Sequence, residues 1–383
     1  MKILLINYEF PPFGGGGGRI SYEVAKILSK QIDVDILTAY DYNHKIHPEK
    51  IEGVELVTVP SFRMSLLQCG LRGMISFVCF AVPAMQKALR NNHYDLIHYF
   101  FSIPTGLVSL FQDKKTPYIV SLNGGDVPYY TTQESSFLQM AIQPINKTIV
   151  KRASAVTAVS GDLASFAKKQ FGRDDISVIH NGINTGNFCR SPQRETRNNG
   201  IVRLICVSRL AQWKRIDLLI RALQGMTGVV LEIIGDGGYR QELKRLVRDL
   251  KLESIVTFRG YVKNGDLKNF LQVSDVFVLP SNADSFGIVF LEAMACGLPV
   301  IGCRAGGVPE VIADGQTGLL VQPNDLDSLR SAIKSLVDNM ELRAKMGNAG
   351  LQRAKDFFEW DIISARYLSL YQTVLSKNDI LKQ

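Results

Sequence analysis

Short apolar runs, each followed by a polar loop rich in glycine or proline and then by a segment with apolar residues at helical spacing, recur along the whole chain. The first run, 2–7, ends at Asn7, and a loop carrying Pro11-Pro12 and five consecutive glycines leads into an amphipathic helix over 19–30. Further strands are predicted at 33–38, 54–59, 95–99, 118–122, 155–159 and 176–180. Helices are predicted over 63–91 (interrupted near Pro83), 103–111, 134–152 and 162–171. Residues 189–200, CRSPQRETRNNG, have no periodicity and read as a linker. The alternation then restarts, with strands at 201–207, 229–234, 256–259, 276–279 and from 299. Helices accompany them at 216–224, 239–250, 266–273, 287–296, 325–338, 340–357 and after Trp360. Strands separated by helices imply parallel sheets. At 383 residues the chain exceeds what one core usually organises. The expected class is therefore α/β, with two doubly wound Rossmann-like domains at 1–190 and 200–358. The final helix, 360–383, has its own apolar stripe and is expected to complete the first domain. A binding cleft between the domains is the corresponding expectation for the site.

The richest stretch runs from Ser274 to Gly307. A buried strand stops at Pro280, a polar loop follows, Gly287 opens a helix carrying Glu292, and Pro299-Val300-Ile301 begins the next strand. Loops at the carboxyl ends of parallel strands are where open α/β sheets bind ligands. Unpaired amides at a helix start suit an anion, and Gly287 lets a phosphate approach the backbone. Glu292 lies five residues further on, ~7–8 Å along the axis, about the separation of a diphosphate from a ribose, and can accept from two vicinal hydroxyls. Asp284 faces whatever lies beyond the phosphates. Ser285, Phe286, Ile288 and Val289 complete the loop and first turn. The combination suits a sugar nucleotide, whereas capping by Asp284 and solvation of Glu292 is the plainer alternative.

Other loops add candidates. Arg209 and Lys214 follow the strand at 204–207, and a cation near a helix start opposes the helix dipole unless an anion is close. Gly235-Asp236-Gly237-Gly238 is a second glycine turn, suited to lining a nucleotide, and Arg259-Gly260-Tyr261 could read a base edge. Gly15 and Gly16 sit in the first glycine loop, which fails the GxGxxG dinucleotide pattern because Arg19 takes the place of the last glycine. That disfavours a nicotinamide-dependent dehydrogenase. Asp33-Val34-Asp35 matches a loose metal-binding DxD but begins a strand, and is read as structural. His98 ends a strand and is equally compatible with a structural and a ligand-contacting role.

Composition, with 46% hydrophobic and 21% charged residues, is that of an ordinary globular protein, so charge is what narrows the partners. The net charge of +8 favours phosphates or an acidic membrane surface; no dense basic run points to nucleic acid. The segment 61–90 places Arg63, Arg72, Lys87 and Arg90 beside apolar runs and could rest on an anionic membrane, or pack as an ordinary helix. The longest hydrophobic run, 74–85, contains Pro83 and is too short to span a bilayer. A cytoplasmic location, peripheral on the membrane face, is expected. Six cysteines without CxxC pairing (Cys69, Cys79, Cys189, Cys206, Cys296, Cys303) read as buried thiols in a reducing compartment.

Taken together these stretches resemble a retaining glycosyltransferase of the GT-B fold, glycosyltransferase family 4. The features are the Pro-Pro-glycine loop at 11–18, Val159-Ser160, Asn181-Gly182-Ile183-Asn184 with Phe188, Ser208-Arg209 with Lys214, Gly235-Asp236-Gly237, and DSFGIVFLEAMACGLPVI followed by Gly306-Gly307-Val308-Pro309-Glu310. The resemblance implies two domains facing across a deep cleft. It assigns Asp284 to the transferred sugar, Glu292 to the donor ribose, and Arg209, Lys214 and the amides of 286–289 to the diphosphate. Gly15 and Gly16 match the loop near donor and acceptor, with His98 and Asp126 as acceptor-side candidates. No metal and no cofactor beyond the nucleoside-diphosphate sugar are implied; the acceptor is a glycan or lipid-linked glycan. Two positions depart from the family: the first acid of its E-x7-E is Asp284, and the usual histidine of Thr-x-His-Gly-x-Asp is Asn123 in Ser121-Leu122-Asn123-Gly124-Gly125-Asp126. Asparagine cannot shuttle a proton, so either the donor's own phosphate oxygen is the base or the sugar is handled differently. Sugar-nucleotide epimerase or hydrolase activity, or donor binding without catalysis, are the competing possibilities.

Overall fold

The computed structural model describes residues 1–14, 16–65, 68–113, 115–128, 130, 137–188 and 200–382. It comprises two compact units, Met1–Asn181 with Trp360–Gln383, and Gly182–Glu359. The division at Asn181 lies ahead of the polar stretch 189–199, which is outside the described residues. The reason is local: Ile183 donates its N–H to the Phe358 carbonyl at 2.7 Å, which ties the start of the second unit to its end.

In the first unit, β1 (Lys2–Asn7), α1 (Gly16–Leu28), β2 (Asp33–Asp41), β3 (Glu55–Ser61), α2 (Gly70–Asn91), β4 (Leu96–Phe100), β5 (Tyr118–Leu122), α3 (Phe137–Arg152), β6 (Ala155–Ala158), α4 (Gly161–Phe171) and β7 (Ile176–Val178) follow in order. The strands form one parallel sheet, β3-β2-β1-β4-β5-β6-β7. Helices cover both faces, so the central strands are buried throughout: Ile3, Leu4, Ile6, Leu96 and Ile97 have no exposed surface. Asp35 is held inside by Lys2 Nζ at 2.9 Å and by the Tyr94 hydroxyl, which donates at 2.6 Å. Its role is structural.

Helix α1 begins inside the glycine run, not at Arg19. The glycines are there for contact: a Cβ on Gly17 would lie 2.3 Å from the Phe101 ring, and one on Gly18 2.8 Å from the Phe13 carbonyl oxygen. Helix α2 starts later than the apolar pattern suggested and runs through Pro83 without a break. Phe77, Ala81, Met85 and Ala88 anchor it on both sides of the proline, which is itself exposed, where water can satisfy the freed carbonyl.

The second unit contains β8 (Val202–Val207), α5 (Ile216–Ala222), β9 (Val229–Ile234), α6 (Arg240–Asp249), β10 (Val256–Gly260), α7 (Asn264–Gln272), β11 (Val276–Leu279), α8 (Ile288–Ala295), β12 (Val300–Cys303), α9 (Val308–Val311), β13 (Gly318–Val321), α10 (Leu326–Asp338) and α11 (Met340–Phe358). Its parallel sheet has the order β10-β9-β8-β11-β12-β13. Helix α8 is apolar nearly all round and buried from Phe290 to Ala295. It is covered by α11, whose glycines permit close approach: a Cβ on Gly347 would meet the Gly297 carbonyl at 2.2 Å. The edge strand β13 and the short α9 were not legible as elements, each being four residues long.

The chain then returns to the first unit as α12 (Trp360–Lys382), burying Trp360, Ile363, Tyr367 and Tyr371. Cys69, Cys206, Cys296 and Cys303 are buried thiols, whereas Cys79, on α2, is exposed. Cys189 lies outside the described residues.

Candidate active site

The strand order of the second unit reverses between β8 and β11, and two loops meet there at the carboxyl edge of the sheet. The loop after β8 ends in a tight turn, Gln212–Lys214; the loop after β11 runs to Gly287. Lys214 Nζ reaches Asp284 Oδ1 at 2.5 Å, with both side chains 14% exposed. The backbones are laced as well, Asn282 N–H donating to the Trp213 carbonyl at 3.0 Å. From the β12 side, Gly307 N–H donates to the Asp284 carbonyl at 2.8 Å. Gly306, at φ +57°, comes so close that a Cβ there would lie 2.2 Å from the same oxygen. Asp284 is thus fixed through its backbone and one carboxylate oxygen. Its other oxygen, Oδ2, is buried and has no partner among the described residues.

Three residues later Gly287 adopts the left-handed conformation (φ +86°) that opens α8. No side chain caps this helix, and the Ile288 and Val289 amides of its first turn have no acceptor among the described residues. The unfilled amides and the helix dipole favour an anion at this point. Glu292 is the single ionisable residue of α8, 8% exposed. Phe286 turns its ring into the core, 5.9 Å from the Phe358 ring, so its side chain does not face a ligand. Ser285 is half-buried on the loop. Arg209 is exposed, its guanidinium 5.6 Å over the Trp213 ring.

The glycine turn after β9 meets the same edge. Gly235, at φ +128°, would place a Cβ 1.8 Å from the Ser208 carbonyl oxygen, and its N–H donates to the Gly260 carbonyl at 2.8 Å. Its absent side chain is needed for the approach of two strand ends. Asp236 is occupied locally, accepting from Gly237 N–H at 2.8 Å and from Arg240 Nη1 at 3.0 Å. Arg259 lies along the sheet against Glu232, Nη2 to Oε1 at 2.5 Å, while Tyr261 is 49% exposed. No sequence pattern marks Asn282 as a tie between loops, nor Arg215, held at φ +52° with its guanidinium on both Asp217 oxygens at 3.1 and 3.2 Å.

The remaining candidates belong to the first unit. Gly16 is the first residue of α1, and Gly15 lies outside the described residues. Asn123 donates its Nδ2 to the Ser121 carbonyl at 3.1 Å, leaving Oδ1 buried without a partner among the described residues. Asp126 folds that loop: it accepts from the amides of Asn123 and Gly124, both at 3.0 Å, and of Ser102 at 2.8 Å. Burial raises its pKa above the ordinary value against the pull of these amides. Asp126 positions the loop and has no free oxygen to offer. His98 also departs from the expectation of an acceptor contact. It is fully buried, with Nδ1 on the Tyr371 hydroxyl and Nε2 on Ser121 Oγ, each at 2.7 Å. Burial holds its pKa down to about 3, so it is a neutral core residue.

Two family models match in succession: Glycosyltransferase Family 4 over residues 14–187 and Glycosyl transferases group 1 over residues 190–353. The chain belongs to glycosyltransferase family 4. This glycosyltransferase is 32% identical, over 249 residues, to a GDP-mannose-dependent alpha-(1-6)-phosphatidylinositol monomannoside mannosyltransferase of Mycolicibacterium smegmatis, which covers 59% of this chain and 65% of that one. Among solved structures, the sucrose-phosphate synthase of Thermosynechococcus elongatus superposes with a TM-score of 0.85 at 23% identity, over 98% of this chain and 100% of that one. The Anabaena HepE protein in complex with UDP and glucose gives 0.77 at 22% identity, over 97% and 99%. These superpositions place the family-4 chain in the GT-B fold.

Proposed function

We propose that the protein transfers a sugar from a nucleoside-diphosphate sugar to an acceptor hydroxyl with retention of anomeric configuration and without a divalent ion in the chemical step. The observation that carries this is the Lys214–Asp284 pair at the switch point, with Asp284 Oδ2 unpartnered and an uncapped helix start beside it. The donor diphosphate lies against the Ile288 and Val289 amides and draws Lys214 and Arg209 to itself. Its two negative charges compete well against one carboxylate. Asp284 Oδ2 accepts from a sugar hydroxyl, and Glu292 takes the ribose hydroxyls. As the glycosidic bond breaks, charge builds on the departing diphosphate, where fixed cations and amides stabilise it, by ~3–4 kcal/mol for a well-placed donor. The acceptor hydroxyl enters from the leaving-group face and passes its proton to a donor phosphate oxygen, since Asn123 cannot take it.

A thermal-shift panel of UDP-, GDP- and ADP-sugars, followed by transfer assays on each hit, tests this. At least one donor is expected to raise the melting temperature, with turnover surviving a chelator and the anomeric configuration retained by NMR. No stabilisation by any nucleotide sugar, or an inverted product, would sink the proposal.

The acceptor we propose is a glycan or lipid-linked glycan presented at an anionic membrane face. Leu71, Ile75 and Phe80 are exposed on α2 with Met64 before it, and 61–90 contains no acidic residue. Arg72, Lys87 and Arg90 are exposed on the same helix. No helix among the described residues is long and apolar enough to cross a membrane. The protein is expected to float with vesicles containing anionic lipid and to stay behind with neutral ones; equal behaviour in both would count against a surface contact.

A further inference from the structure

Arg63 does not share in that exposed surface. It is 1% exposed at the carboxyl end of β3, where loops of the first unit gather. Its backbone carbonyl accepts from Asn43 Nδ2 at 3.0 Å, in the loop after β2, and its guanidinium lies 5.2 Å from the Phe13 ring, in the loop after β1. Nη1 makes one long contact, 3.4 Å to the Tyr8 carbonyl; Nε and Nη2 have no partner among the described residues.

Those two nitrogens form the edge of the guanidinium that matches a pair of oxygens. Several other arginines fill that edge, while Arg240 leaves one buried nitrogen, Nε, unmatched among the described residues. Arg173 holds Asp175 at 2.7 and 2.9 Å, Arg215 holds Asp217, and Arg353 takes the Val311 and Glu310 carbonyls at 2.9 and 2.8 Å. Glu9, Asp41 and Asp126 carry the negative charges that reach the Tyr8 and Cys69 side chains together with the positive charge of Arg63. No ion pair among the described residues includes it. The buried carboxylate of Asp41 is spent on the Asn43 and His44 amides and on His44 Nδ1. The Cys69 thiol and the Tyr8 phenol are pushed up by burial and stay neutral. A buried guanidinium with an empty edge is costly, and it persists where a ligand completes it.

We infer that Arg63 forms an anion-binding subsite in the first unit, taking two oxygens of a phosphate or carboxylate through Nε and Nη2. If the transferase proposal above holds, that anion is carried by the acceptor and is distinct from the donor diphosphate. The exposed Phe62 and Met64 on either side of Arg63 in the chain suit an apolar neighbour to such a group.

Thermal unfolding of the wild type, Arg63→Met and Arg63→Lys, in inorganic phosphate, in acetate and in chloride at matched ionic strength, tests this directly. In chloride, Arg63→Met is expected to melt no lower than the wild type, because the methionine keeps the stem against Phe13 and removes the unpaired charge. The extra stabilisation by phosphate or acetate over chloride is expected to fall by at least half in Arg63→Met and to survive in part in Arg63→Lys; which anion acts separates a phosphate from a carboxylate ligand. The donor site contributes equally to all three proteins. In transfer assays Arg63→Met is expected to raise the acceptor KM at least tenfold while the donor-induced shift is unchanged. An anion response equal in wild type and Arg63→Met would overturn the subsite, as would an Arg63→Met protein that melts well below wild type in chloride with its anion response intact. Failure of the wild type to respond to any nucleotide sugar would instead defeat the transferase proposal and leave the anion result standing.

Discussion

Lys214→Ala is expected to lower kcat/KM for transfer at least a hundredfold, about 2.7 kcal/mol of lost transition-state stabilisation. Two effects add. The departing diphosphate loses a cation that gains importance as charge builds on it. The substitution also strips Asp284 of its 2.5 Å partner and leaves a carboxylate, 14% exposed, facing the incoming phosphates. The second effect acts on binding and the first on turnover, so they can be separated. Combining Lys214→Ala with Asp284→Asn removes the stranded charge and is expected to restore part of the donor-induced thermal shift while turnover stays low. Lys214→Arg keeps the charge on a longer, planar group and is expected to lose less than alanine. Near-normal kcat/KM in Lys214→Ala would show that the lysine merely ties two loops together.

Much of the site was legible because its chemistry is tied to strand ends. The run VFVL followed by Pro280, and the run ending at Val207, are the two strands between which the order reverses, and their loops carry Asp284 and Lys214. Sequence reasoning sent these two residues to different parts of a ligand, sugar and diphosphate. Without a ligand they hold each other, a pairing 70 positions apart in the chain that no local pattern encodes. The first glycine loop reads as facing a ligand for a related reason. Spacing shows that a side chain is missing, but only tertiary structure shows what would occupy its place: Phe101 and Phe13 beside α1, the Asp284 carbonyl beside Gly306. His98 and Arg63 invert each other. The histidine read as a possible contact has both ring nitrogens satisfied in the core, whereas the arginine of the segment offered to a membrane or to helix packing is buried with two nitrogens unmet among the described residues. Burial of a strand-end residue depends on which loops close over it, and that is set by β1 and β2 as much as by β3.

Gly235→Ala is the second substitution expected to have a large effect, and its cause is steric before it is chemical. The residue sits at φ +128°, a region L side chains rarely adopt, and an added methyl would lie 1.8 Å from the Ser208 carbonyl oxygen. Neither atom can retreat easily. The Gly235 N–H is bonded to the Gly260 carbonyl, and Ser208 N–H to the Ile234 carbonyl at 3.1 Å, so the ends of β8, β9 and β10 must part together. Backbone strain of ~1–3 kcal/mol and overpacking of a similar size make a loss of several kcal/mol. For a unit of this size that lowers the melting temperature by on the order of 10 °C. The damage extends to function because the displaced Ser208 leads directly into Arg209 and the turn that carries Lys214. Donor-induced stabilisation is therefore expected to disappear even at temperatures where Gly235→Ala remains folded. Gly238→Ala is the matched control: it lies in the same turn with nothing within 4 Å of its Cβ position and is expected to behave as wild type. If both alanine variants melted alike and bound donor alike, close approach at Gly235 would have no part in holding the two loops, and the geometry assigned to Lys214 would lose its mechanical support.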